Sequence, residues 1–256
     1  MMEIKYNKIK MNTPKVFIGL PGIGLVGKIV VDTIVKKTNA KKIGTIKGDF
    51  FPPMVFVNSE SKIQESCDDI YYLNLEKQDY IFISGDFQQS LDSIESFPLH
   101  YKFAKELAEF IKSINAKEVY SIAGINVGDT RITKEPELFF AANKYANCDD
   151  LKKKLKPVKN TTISGIAELI LCETEKLNIA GTCILGETSA KIYGDFESAK
   201  SILIYLQDKF KIKFDMKEVE DEAKKISNAF KQVVKELKKA TESSIVQDDI
   251  KPTYIR

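Results

Sequence analysis

The chain has 256 residues, of which 43% are hydrophobic and 29% charged, a balance that excludes a disordered or membrane-spanning polymer. The net charge is only +3, and of the 39 basic side chains only Arg131 and Arg256 are arginines. The bidentate, arginine-driven readout of nucleic acid is therefore poorly served. With His100 as the single histidine and no tryptophan, a histidine-rich metal site is also excluded.

Taken in chain order, the first twelve residues alternate lysine with apolar residues and lack the continuous apolar stretch of a signal peptide. The apolar run at residues 16–20 predicts a buried strand, and residues 25–36 have helical apolar spacing. Further strands are predicted at 43–46, 54–57, 70–73, 80–84, 119–123, 138–142 and 179–185. The Phe51-Pro52-Pro53 segment reads as a loop, because consecutive prolines cannot sit in a central strand. Helices are predicted at 98–114, where Phe103, Leu107, Phe110, Ile111 and Ile114 recur on one face, and at 165–177 and 196–210. This alternation predicts an α/β, three-layer sandwich over residues 1–213, with a mostly parallel central sheet covered on both faces.

The last part of the chain follows a different pattern. Asp215 and Glu218 have capping-box spacing. From there Met216, Val219, Ala223, Ile226, Phe230, Val233 and Leu237 form a heptad seam, so an amphipathic C-terminal helix is expected over 214–240. It would either dock on its own domain or join a partner copy. Residues 241–256, polar and interrupted by Pro252, read as a flexible tail.

The residues able to carry chemistry are few. The stretch from Gly19 to Gly27 follows a strand and precedes a helix, with Gly22, Gly24 and Gly27 in a literal G-x-G-x-x-G. Such a loop can cradle a phosphate at a helix N-terminus. The acidic ribose ligand expected about 20 residues on is missing, since Thr45, Ile46 and Lys47 stand there with Asp49 beyond. A P-loop is excluded because Lys28 is followed by Ile29. The favoured reading of the glycines is a tight turn with close strand–helix packing. The doublets Asp68–Asp69 and Asp248–Asp249 read as solvated loop acids, and His100 as a helix-surface or capping residue. Cys67, Cys148, Cys172 and Cys183 form no C-x-x-C pair and read as scattered buried thiols in a reducing, cytoplasmic compartment. No metal-ligand spacing, nucleophile elbow or other catalytic constellation is present, and no catalytic residue or cofactor is expected.

Several segments together resemble the proteasome assembly chaperone family in its archaeal form. They are the loop from Gly19 to Gly27, the Phe51-Pro52-Pro53 loop, Ser84-Gly85-Asp86, Ile122-Ala123-Gly124-Ile125, Ser164-Gly165-Ile166-Ala167 and Leu185-Gly186-Glu187-Thr188. The resemblance implies a fold similar in topology to purine nucleoside phosphorylases without their catalytic residues. It also implies a homo-oligomer that binds the proteasome core, at its α-ring, without using ATP. Proteasome-binding chaperones and activators often end in a hydrophobic residue, a tyrosine and a final residue, a tail that inserts between α-subunits. Here the end reads Tyr254, Ile255, Arg256, with the tyrosine one position early. Those three residues are the candidate partner-binding site, and Gly19, Gly22, Gly24 and Gly27 form a structural glycine loop. The rival reading is a nucleotide- or nucleoside-binding enzyme that uses the loop from Gly22 to Gly27 as an anion site.

Overall fold

The structure, a computed structural model, describes residues 2–51, 55–85, 97–128, 135–217 and 219–221. The first unit runs to Phe214. Its chain order begins with β1 (Glu3–Tyr6), β2 (Lys15–Gly19), a 3₁₀ turn (Ile23–Leu25), α1 (Val26–Thr38) and β3 (Lys41–Lys47). Four strands follow without a described helix: β4 (Val55–Val57), β5 (Ile63–Glu65), β6 (Asp68–Leu75) and β7 (Gln78–Gly85). Then come α2 (Phe97–Ser113), β8 (Glu118–Asn126), β9 (Leu138–Ala142), α3 (Cys148–Leu151), β10 (Lys156–Pro157), α4 (Ile166–Lys176), β11 (Ala180–Thr188) and α5 (Phe196–Phe210).

Among the described residues nine strands form one sheet in the order β1-β3-β6-β7-β2-β8-β11-β9-β10. The central strands β7, β2, β8 and β11 run parallel. On one side β6, β3 and β1 are antiparallel to their neighbours, and on the other β9 is antiparallel to β11. The expectation of a mostly parallel sheet is thus corrected to a mixed sheet with a parallel centre. The reason is the connection between strands. Parallel neighbours need a crossover of a dozen or more residues, whereas β6 and β7 are joined by two. Those two, Glu76 and Lys77, both have positive φ (50° and 68°), the backbone of a type I′ hairpin turn.

Side chains alternate across the sheet and divide the core in two. Phe17 on β2 stacks between Phe82 on β7 (5.5 Å) and Tyr120 on β8 (5.1 Å), and meets Phe210 of α5 edge-on at 5.0 Å. Its neighbours Val16 and Ile18 point the other way and join Phe103, Leu107 and Ile111 of α2 and Ile166 and Ile170 of α4 in a second apolar layer. Helices α1 and α5 therefore cover one face and α2 and α4 the other, which makes the three-layer sandwich. Three of these helices stop at an asparagine with a left-handed backbone: Asn39 (φ 52°), Asn115 (φ 60°) and Asn178 (φ 58°). Asparagine is the residue other than glycine best suited to that cap.

Two expectations about individual side chains are corrected. His100 lies on α2 but is 2% exposed, so it belongs to the interior and not to the helix surface. Asp68 is fully buried on β6, not in a solvated loop, while Asp69 pairs with Lys42 at 2.7 Å. Of the four cysteines only Cys183 is buried, whereas Cys172 is exposed on α4.

The second unit begins at Asp215. There Asp215 Oδ1 accepts the Lys217 N–H at 2.8 Å, and residues 216, 217 and 219–221 are helical. Most of the heptad seam and all of the tail at 241–256, with Tyr254, Ile255 and Arg256, lie outside the described residues. Among the described residues no helix is long and apolar enough to cross a membrane.

Candidate functional site: the glycine loop at the carboxyl edge of the sheet

The glycine loop leaves the carboxyl end of β2 and turns into α1. A methyl group at Gly19 would overlap the Gly27 carbonyl and the Val31 side chain, and one at Gly27 would overlap the Ile122 carbonyl of β8. Opposite them, a Cβ at Gly124 of β8 would lie 2.5 Å from the Ile23 carbonyl oxygen. These absent side chains let the first turn of α1 lie directly on the backbones of β2 and β8. Gly24 is required for a second reason, because its φ of 63° is left-handed and a Cβ there would meet Thr188 Oγ1 at 2.5 Å. Gly22 is extended, and its carbonyl accepts the Leu25 N–H at 2.9 Å to close the turn.

The loop is locked from the far side by residues whose role no sequence motif announces. The Asp195 N–H donates to the Gly24 carbonyl at 2.7 Å. The Thr188 hydroxyl, buried at the end of β11, donates to Asp195 Oδ2 at 2.8 Å. Asp195 Oδ1 in turn accepts the Ser198 N–H at 3.0 Å and so caps α5. Beside α1, the Ser84 hydroxyl at the end of β7 donates to Asp32, which also pairs with Lys28 at 2.9 Å. Asp195 thus ties the loop, through its backbone N–H, and β11, through its carboxylate, to α5, while the Asp32 carboxylate ties α1 to the sheet.

The structure brings Gly19, Gly24 and Gly27 together with Gly124, Thr188 and Asp195, and the space beside these glycines is taken by protein atoms, backbone at Gly19, Gly27 and Gly124 and the Thr188 and Asp195 side chains at Gly24. The arrangement does the work of close packing. His100 and the Asp68–Asp69 doublet are not part of it. The signal for Asp195 was available in the spacing of Asp195 to Ser198 before the helix at 196–210; the signal for Thr188 was not. Among the described residues no group of three His, Cys, Asp or Glu side chains could hold a metal ion.

Fold and loop together define a class: an α/β sandwich with a mixed, open sheet, in which a glycine-rich turn presses one helix onto the parallel centre. Residues 16–234 match the family model described as the PAC2 family, and the chain belongs to that family. It is similar to an uncharacterized protein, MJ1210, of Methanocaldococcus jannaschii, at 28% identity over 91% of this chain and 86% of the relative. Two solved structures from Pyrococcus furiosus share the fold. One is PbaB, described as an archaeal proteasome activator, with TM-score 0.78 and 23% identity over 91% of this chain and 98% of that one. The other is PbaA, described as an archaeal homolog of proteasome-assembly chaperone, with TM-score 0.73 and 21% identity over 95% and 97% of the two chains.

Proposed function

We propose that this chain is an ATP-independent, non-enzymatic proteasome assembly chaperone or core-binding protein of the cytoplasm, acting as a homo-oligomer. The single observation that carries this reading is the likeness to PbaB and PbaA over nearly the whole of each chain, joined to membership in the PAC2 family. The mechanism proposed is surface recognition. The heptad pattern after Asp215 supplies a stalk, and Tyr254, Ile255 and Arg256 enter pockets between subunits of the proteasome α-ring. An oligomer presents several such tails, so weak single contacts sum to useful avidity.

The glycine loop supports this reading indirectly. Gly19 and Gly27 are accounted for by helix–strand contact and Gly24 by its left-handed backbone against Thr188, which weakens the rival in which Gly22 to Gly27 bind a nucleotide. A pull-down of proteasome α-subunits by the full chain, repeated after deletion of residues 250–256, tests both parts. Retention by the full chain and loss on deletion is the expected result. Unchanged retention by the truncated chain defeats the tail mechanism, and no retention by either defeats the chaperone reading.

A further inference from the structure

At the amino ends of β2, β8 and β11, the edge away from the glycine loop, the protein has two adjoining hollows. The larger, about 530 Å³, lies among Lys15, Glu118, Tyr120, Tyr145, Asp150 and Lys209. The smaller, about 210 Å³, shares Asp150 and Lys209 with it and is otherwise lined by Lys153, Lys154, Tyr205 and Asp208. We propose that they form one binding site for a phosphate monoester carried on a planar ring, the chemistry of a nucleoside monophosphate.

The charge count argues for the phosphate. Four lysines gather on two carboxylates: Lys209 and Lys153 on Asp150, the latter at 3.2 Å, and Lys154 and Lys211 on Asp208, the latter at 3.9 Å. Of these, Lys153, Lys154 and Lys209 line the hollow with the two aspartates and leave one positive charge over, the sign a phosphate needs, while Lys211 stands on Asp208 outside the lining. Each ammonium has three donors and spends one or two on its aspartate, so donors are available for phosphate oxygens. Both aspartates are held below the usual carboxylate range, chiefly by lysine hydrogen bonds. A second feature is independent of charge. Tyr205 lines the same hollow, is 7% exposed, and its hydroxyl is buried without a hydrogen-bond partner. A buried donor without a partner is costly, and a phosphate oxygen would supply one.

The larger hollow suits the ring. Tyr120 and Tyr145 are among its lining residues, Tyr120 stacked on Phe17 at 5.1 Å with Phe210 edge-on to it at 4.8 Å, and Tyr145 the more exposed ring. At its far end Glu118 is already satisfied by Lys15 and the Tyr120 hydroxyl, so that end is neutral and presents no competing cation. The volume falls in the range of about 300–1,000 Å³ usual for small-molecule sites.

The test is calorimetric titration of the full chain, at fixed ionic strength, with adenosine monophosphate, phenyl phosphate, adenosine and inorganic phosphate. At least one monoester is expected to bind about tenfold or more tighter than adenosine or inorganic phosphate, since ring and phosphate each contribute. The double variant Lys153→Ala/Lys154→Ala removes exposed lysines and leaves Lys209 and Lys211 on the aspartates, so the fold survives it. It should weaken the monoester about tenfold. Tyr145→Ala, at a half-exposed residue, should weaken the monoester and adenosine alike. Failure of both monoesters to bind overturns the proposal. So does monoester binding no tighter than inorganic phosphate, or binding unchanged in both variants, which would place the ligand elsewhere.

Discussion

The two edges of the same parallel strands are built on opposite principles. At the carboxyl edge, Gly19, Gly27 and Gly124 remove side chains so that backbone meets backbone, and buried Thr188 and Asp195 close the gap with directed hydrogen bonds. At the amino edge, long side chains stand apart: Lys15 with Glu118, Lys209 and Lys153 with Asp150, Lys154 with Asp208, around open space. The first edge is specified by shape and tolerates almost no added atom. The second is specified by charge, is solvated, and tolerates truncation. In an α/β protein the carboxyl edge is the customary place for a ligand, and the glycine loop fills its own part of that edge with protein atoms.

The sharpest way to break this contrast is to add one methyl group. Gly27→Ala forces a Cβ into the Ile122 carbonyl, a backbone atom that cannot swing aside, and should destabilise the fold by about 2–3 kcal/mol in urea unfolding. A loss near zero would mean that α1 can lift off β8, and that the glycines are free for another use. The next effect is Thr188→Val, nearly the same shape without the hydroxyl that Asp195 accepts; about 1–2 kcal/mol should be lost. At the amino edge, Lys15→Ala should cost less than about 1 kcal/mol by the same measurement, because Glu118 is partly solvated.

Acid sharpens the comparison further. Asp79, at the start of β7, is buried, which raises its carboxyl. That effect is outweighed by the Asn12 N–H at 2.6 Å, the Asn74 amide at 2.7 Å and the Tyr72 hydroxyl at 2.8 Å, which together hold it below the usual range. A carboxyl depressed in the folded state adds stability above its unfolded value of about 3.9 and loses it as pH falls through the lower folded value. The protein should therefore lose stability progressively below about pH 4, and Asp79→Asn should be less stable at neutral pH but flatter across that acid range. Parallel acid profiles for the two proteins would remove Asp79 from the account.

Much of the fold was legible in the sequence where periodicity was strong. Leu138–Ala142 and Phe196–Phe210 match the predicted bounds to the residue, and the other strands and helices predicted up to residue 213 fall within a few residues of those found, while most of the helix expected over 214–240 lies outside the described residues. What escaped has physical reasons. The edge strand Glu3–Tyr6 is half exposed and carries no apolar run, its pairing with β3 being made through the backbone. The antiparallel sense of β6 and β7 depends on Glu76 and Lys77 at positive φ, where the sequence offers neither glycine nor asparagine. The position of the glycine loop could be read, but its purpose could not, because Ile122, Thr188 and Asp195 reach it only through the folded topology. Nothing in the sequence marks Lys15, Glu118, Asp150 and Lys209 as neighbours, since each looks like an ordinary surface charge until β2, β8, α3 and α5 bring them to one edge.

The proposal that the chain works by presenting its terminal residues to the proteasome is put to the test by the affinity of the full chain for assembled α-rings. That affinity is compared with the affinity after removal of residues 250–256. Measurable binding is expected, falling about a hundredfold or more on truncation, as when several linked tails are lost together. Equal affinity of the two proteins would contradict it.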